Sequence, residues 1–249
     1  MRKIVIVVEG SKDAYFLHEL ILQRFSGYFL RQDNHSAESE KQVKPMKLVS
    51  KDGGIAVDLY WVSGYGQIKN MKNELIRSAD IGAADEFVSG LVFDSDVPPE
   101  VGANEKHAGH GPRSKEILKL LKIPEEKWDE ALQYVFLFPD NEGDGDLEVV
   151  LRAAVRESPE HQSFFEKCWT PFEDEVGRIP ANVPTRKSMM NEYKAAFDSQ
   201  AWDTNGLNLN FARAGDLWNW SAPQLEPLVD FLGKLLTGPA TDGLGACLI

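Results

Sequence analysis

Three apolar runs in this chain end in acid. Ile4-Val5-Ile6-Val7-Val8 leads into Glu9-Gly10, Gly90-Leu91-Val92-Phe93 into Asp94-Ser95-Asp96, and Val135-Phe136-Leu137-Phe138 into Pro139-Asp140-Asn141. One acidic strand end is an ordinary turn, so the weight lies on the set. Carboxylates gathered in a partly desolvated crevice raise one another's pKa and oppose folding unless a cation or a proton compensates. A divalent metal is the simplest compensation. Hard oxygen donors without His or Cys suit Mg²⁺ or Mn²⁺, which keep several waters and bind substrate phosphates. The pattern therefore points to phosphoryl or phosphodiester chemistry.

The elements around these acids explain how they meet. Residues 3–8, 56–62, 87–93 and 134–138 are rich in Val, Ile, Phe or Tyr and read as strands. Between and after them apolar residues recur three and four apart: Ala14, Leu17, Ile21 and Phe25; Ile68, Met71 and Leu75; Ile117, Leu120 and Leu121; Leu147, Val150, Leu151 and Ala154. Strands apolar on both faces, alternating with helices, predict a Rossmann-like α/β fold with a mainly parallel four-stranded sheet between helices. Ligands of such folds bind outside the carboxyl edge, where all parallel strands end. Two polar insertions, residues 31–54 and 97–111, read as loops. Residues 1–158 are the expected α/β core, and 159–249 a mostly helical C-terminal extension. Its last helix is predicted from the capping-box sequence Ser221-Ala222-Pro223-Gln224, with Leu225, Leu228, Val229, Leu232, Leu235 and Leu236 on one face.

With 249 residues and 43% hydrophobic, 10% aromatic and 27% charged residues, the chain has an ordinary globular composition, sufficient for one or two domains. Its net charge of −12 repels phosphate backbones, which excludes tight nucleic-acid binding through overall charge. Cys168 and Cys247 form no metal-binding or disulfide pattern. The apolar run after Met1-Arg2-Lys3 is too short for a signal peptide or a membrane span, so a cytoplasmic protein with no membrane association is expected.

Val8-Glu9-Gly10-Ser11-Lys12-Asp13, with Phe93-Asp94-Ser95-Asp96 much later, resembles the two signatures of the Toprim domain of topoisomerases, primases, recombination proteins and overcoming-lysogeny-defect nucleases. Phe138-Pro139-Asp140-Asn141 with Gly145-Asp146-Leu147-Glu148 further resembles small stand-alone bacterial Toprim-like proteins of unknown function. The resemblance spans roughly residues 1–158. It implies that Glu9 acts as general acid or base or shares in metal binding, that Asp94 and Asp96 hold Mg²⁺ (or Mn²⁺) against a phosphate, and that Gly10 permits close backbone approach. A second metal would draw on Asp140, Asp144 and Glu148, with Glu148 equally readable as a surface helix residue, and Lys187 would resemble the transition-state lysine of related nucleases. Asp13 has an equal reading as a helix cap. With no zinc ribbon and no phosphate-binding Gly-x-x-x-x-Gly-Lys loop, primase and topoisomerase activity are not expected, and hydrolysis is the simpler chemistry.

Four further residues are candidates for substrate contact. His107 and His110 follow Asp96 in a glycine-rich loop and could serve as acid, base or phosphate contact; solvated loop histidines are the plainer reading. Arg113 and Lys115, with Lys119 and Lys122, form a local basic cluster able to meet nucleic acid despite the acidic total, or else a solvated helix face. Trp202, Phe211, Trp218 and Trp220 could stack bases but read better as an aromatic core. Two rivals to a nuclease stand. One is a non-catalytic Toprim-like scaffold binding a metal, nucleotide or protein partner in a defence or repair assembly. The other rests on Asp94-Ser95-Asp96-Val97, which is similar to the start of haloacid-dehalogenase-like phosphatases, with Asp94 as nucleophile.

Overall fold

β1 (Arg2–Val8) is buried along its last five residues. A strand apolar on both faces must sit inside a sheet covered on both sides. In the computed structural model it does, with β4 (Ile55–Trp61) parallel to it on one side and β5 (Phe87–Asp94) parallel on the other. β6 (Val135–Phe138) extends β5 in parallel. The model describes residues 2–27, 29–31, 45–62, 64–71, 86–96, 109–155, 159–164, 166–167, 170–171, 217–237 and 244.

The sheet is mixed and larger than the four parallel strands expected. β3 (Met46–Ser50) pairs antiparallel with β4, and β2 (Phe29–Arg31) antiparallel with β3, giving the order β2-β3-β4-β1-β5-β6. Part of the segment 31–54, read from sequence as a loop, is therefore strand. β3 alternates buried and more exposed residues, as an antiparallel strand near a sheet edge does, so its polar side chains concealed it. The turn into β4 is held by Asp52, whose carboxylate accepts from the Ser50 hydroxyl and the Gly54 N–H. The Ser50 contact, then that of Gly54, holds this carboxyl below the usual carboxylate range.

Helices cover both faces. Ile4, Ile6 and Val8 face α1 (Ser11–Arg24), α4 (Leu147–Ala153) and α6 (Glu226–Thr237). Val5 and Val7 face α2 (His110–Leu120), the residues after it, and the 3-10 segment Tyr65–Met71. Two short helices, α3 (Trp128–Leu132) and α5 (Pro159–Phe164), complete the described set.

Residues 217–237 belong to the same core as the strands. Trp220 stacks on Phe16 with ring centroids 5.8 Å apart, Phe231 lies 5.5 Å from Phe136, and Arg2 donates to the Leu235 carbonyl at 2.9 Å. Trp218 and Trp220 are buried there, which answers the aromatic-core reading for these two; Trp202 and Phe211 lie outside the described residues. The expected helix face is buried at Leu225, Leu228, Leu232, Leu235 and Leu236. The capping box at Ser221 does not form: Ala222 opens a 3-10 turn, Pro223–Leu225, without a side-chain cap. Asn219 organises the entry instead, its side chain accepting from Ser221 N–H and its carbonyl from Ala222 N–H.

Candidate functional site

β1, β5 and β6 are neighbours and run parallel, so Glu9, Asp94 with Asp96, and Asp140 leave the sheet at one edge. The register pairs Val8 with Val92 and Asp94 with Phe138. This edge is where open α/β sheets bind ligands.

Each acid has a local role. Asp13 lies in the first turn of α1 and accepts from Gly10 N–H at 2.7 Å, so it does cap the strand-to-helix turn. Gly10 has a φ of −131°, open to any residue; what it provides is closeness, since a Cβ would lie 3.3 Å from that carboxylate. Asp94 ends β5 only 4% exposed, and accepts from Leu147 N–H, the first amide of α4, at 3.0 Å. Asp146 caps the same helix through Val149 N–H, and Glu148 is buried in its first turn. The positive end of a helix favours carboxylates there. Glu148 is thus no surface residue, whereas Asp140 is exposed and folds back on its own turn, accepting from Glu142 and Gly143 N–H.

Asp96 has left-handed backbone, φ 57°, and its N–H donates to Gly145 carbonyl at 2.7 Å. Ser95 ties the loops together: its hydroxyl accepts from Gly145 N–H at 2.8 Å and faces the carbonyls of Gly143 and Gly145. Gly109 N–H reaches the Ser95 carbonyl, and His110 N–H the Asp144 carboxylate. The roots of three loops are thereby knitted into one surface.

The basic cluster divides. Lys115, Lys119 and Lys122 are exposed, and His110 is half-buried at the start of α2. Arg113, which the sequence offers as a substrate contact or as part of a solvated helix face, is neither: it is 1% exposed and its guanidinium pairs with Asp96. The helical period carried this information: Arg113, Ile117 and Leu121 are four residues apart and all buried. Ser95, Asp144 and Asp146 gave no comparable signal, because their partners lie far along the chain or in plain turns. His107 and Lys187 lie outside the described residues.

The donor chemistry at this edge, all carboxylate oxygen, fits a hard divalent cation. Among the described residues, however, no three Asp, Glu, His or Cys side chains are gathered closely enough to hold a metal. Arg113 supplies the positive charge that faces one of these acids, Asp96. A separate groove of about 630 Å³ runs beside β6 and α6, lined by Tyr134, Phe136, Asp230, Phe231 and Lys234, and touches the candidate set only at Asp140. No helix among the described residues is long and apolar enough to cross a membrane.

Residues 3–237 match the model of a family described as a protein of unknown function, DUF3226. The chain is similar to the crystal structure of hypothetical protein PH0156 from Pyrococcus horikoshii OT3, at 17% identity and a TM-score of 0.46, covering 94% of this chain and 95% of that one. No curated protein matches the sequence.

Proposed function

Since the chain belongs to the DUF3226 family, whose description assigns no activity, we propose a function from the site alone: a Mg²⁺-dependent (or Mn²⁺-dependent) Toprim-type hydrolase of phosphodiester bonds, acting on DNA or RNA in the cytoplasm. The observation that carries this reading is that acid-bearing ends of three adjacent parallel strands leave the sheet at its ligand-binding edge. Residues 1–158 form the Toprim-like unit in this reading.

Glu9, Asp94 and Asp96 would hold the metal, whose chemistry is to neutralise charge on a phosphate and to activate water. Glu9 moves the proton as general acid or base. Helix α4 steadies Asp94 through Leu147 N–H, and Asp13 fixes the turn that carries Glu9. The exposed Lys115, Lys119 and Lys122 offer a local landing surface for phosphates on an otherwise acidic molecule.

The test is cleavage of labelled single- and double-stranded DNA and RNA, with a phosphomonoester alongside, in Mg²⁺ or Mn²⁺ and in chelator. Glu9→Gln and Asp94→Asn are expected to lower cleavage by about 10²–10⁴-fold. Asn keeps an oxygen for Leu147 N–H, so Asp94→Asn should stay folded. Loss of phosphomonoester turnover at Asp94 with tolerance at Glu9 would instead support the phosphatase reading. A second reading, a non-catalytic scaffold for a nucleotide or protein partner, is favoured by the Asp96–Arg113 pair, which already occupies one of the carboxylates. Metal-independent silence on every substrate would select it.

A further inference from the structure

The groove beside β6 and α6 is acidic at one end and basic at the other. β1, β5 and β6 run parallel. Asp140 and Glu142, which follow β6, therefore stand where the strands finish, and Arg2, which opens β1, where they begin. α6 runs the opposite way: Phe231 meets Phe136, and one turn later the Leu235 carbonyl accepts from Arg2. Lys234 thus joins Arg2 at the basic end, while Asp230, a turn earlier, lies towards the acidic one. Asp140, Glu142, Asp230 and Lys234 are all exposed. Between the ends the lining is apolar, with Phe136 and Phe231 as its floor.

We propose that this groove binds a short extended peptide segment of a partner protein, with a basic side chain at Asp140 and Glu142, apolar side chains over Phe136 and Phe231, and a carboxylate at Lys234 and Arg2. Charge complementarity selects the occupant, since opposite charges at opposite ends match a ligand that carries both. Length selects a peptide. β6 has four residues, about 10 Å of strand, and the charged groups lie beyond its ends. A free amino acid is too short to reach both; about three or four extended residues are long enough. The volume of about 630 Å³ is ordinary for a ligand site. The segment does not extend the sheet, because Asn141 already satisfies both backbone groups of Leu137 at the outer edge of β6. Side chains, rather than a strand ladder, make the contacts. The groove needs no metal and meets the candidate carboxylates only at Asp140.

The experiment is fluorescence anisotropy of the full chain with a dye-labelled, C-terminally amidated tetrapeptide: lysine first, leucine and phenylalanine in the middle, glutamate last. Salt at about 0.15 M screens the general pull of an acidic protein on cations. Saturable binding is expected, weakened about tenfold when glycine and serine replace the two middle residues. Wild type should prefer this peptide to one with lysine at both ends. Lys234 is exposed, so Lys234→Glu keeps the fold, and it should reverse that preference by about fivefold. No saturable binding at millimolar peptide, or the same preference in wild type and Lys234→Glu, overturns the site. Self-association of the wild type that Lys234→Glu abolishes would assign the groove to a second copy of the chain, and displacement of the peptide by equimolar free lysine would assign it to a small molecule. Either result overturns the peptide.

Discussion

Asn141 closes the sheet at its β6 edge. It sits at φ 68°, its side-chain oxygen accepts from Leu137 N–H at 3.0 Å, and its own N–H donates to the Leu137 carbonyl at 2.8 Å. One residue thus completes both backbone groups of an edge-strand position, which would otherwise invite another chain. Asn tolerates left-handed backbone because its short polar side chain bonds locally. Asn141→Ala should lower unfolding free energy by about 1–2 kcal/mol through the lost bond and the strained φ, and Asn141→Gly by less because the strain is relieved; urea denaturation would rank them. At this scale the acids were legible because each follows an apolar run directly. Asn141 and the Asp96–Arg113 pair were not, since what they bind is set by the turn of the backbone rather than by neighbours in sequence.

Packing of α6 on β5 depends on an absence. Gly90 lies mid-strand, and a Cβ there would stand 2.7 Å from Leu235 Cδ1 and 3.4 Å from Phe231 Cζ. Gly90→Ala should push α6 outward and destabilise by about 1–3 kcal/mol, with a Leu235→Ala second change recovering part of the loss at that contact; thermal unfolding of the single and double variants measures the coupling. If Gly90→Ala alone unfolds at the wild-type temperature, the close approach is not real. The four strands expected from sequence are the four parallel strands of the sheet, within a residue or so at their ends. β3 escaped because it is short and carries the exposed Lys47 and the polar Ser50 among its five residues, and β2 because it is only three residues long.

For the molecule as a whole, the C-terminal segment is a cover for one face of the sheet. α6 buries Leu228, Phe231, Leu232, Leu235 and Leu236, at about 1.5–3 kcal/mol each, comparable with the entire 5–15 kcal/mol, roughly, that holds a typical domain together. A chain ended at residue 216 should therefore lose its cooperative thermal transition and bind a hydrophobic dye. A truncated chain that keeps a sharp transition would show that the sheet stands without this cover. The net charge of −12 acts at the same scale: it directs any polyanion towards local basic ground, here Lys115 and Lys119 on α2 and Lys122 just after it, instead of the surface at large.

The order of apolar and polar residues was enough to specify an α/β chain, its central strands and the acids at their ends, because periodicity and strand termination are local and survive in a linear reading. Only the folded chain could decide that the inward Arg113 meets Asp96, that Asp94 receives the first amide of α4, and that residues 217–237 return to cover the strands. Those contacts join positions 17, 53 and, for Phe16 with Trp220, 204 residues apart, and each depends on where a whole helix lands rather than on the residues beside it.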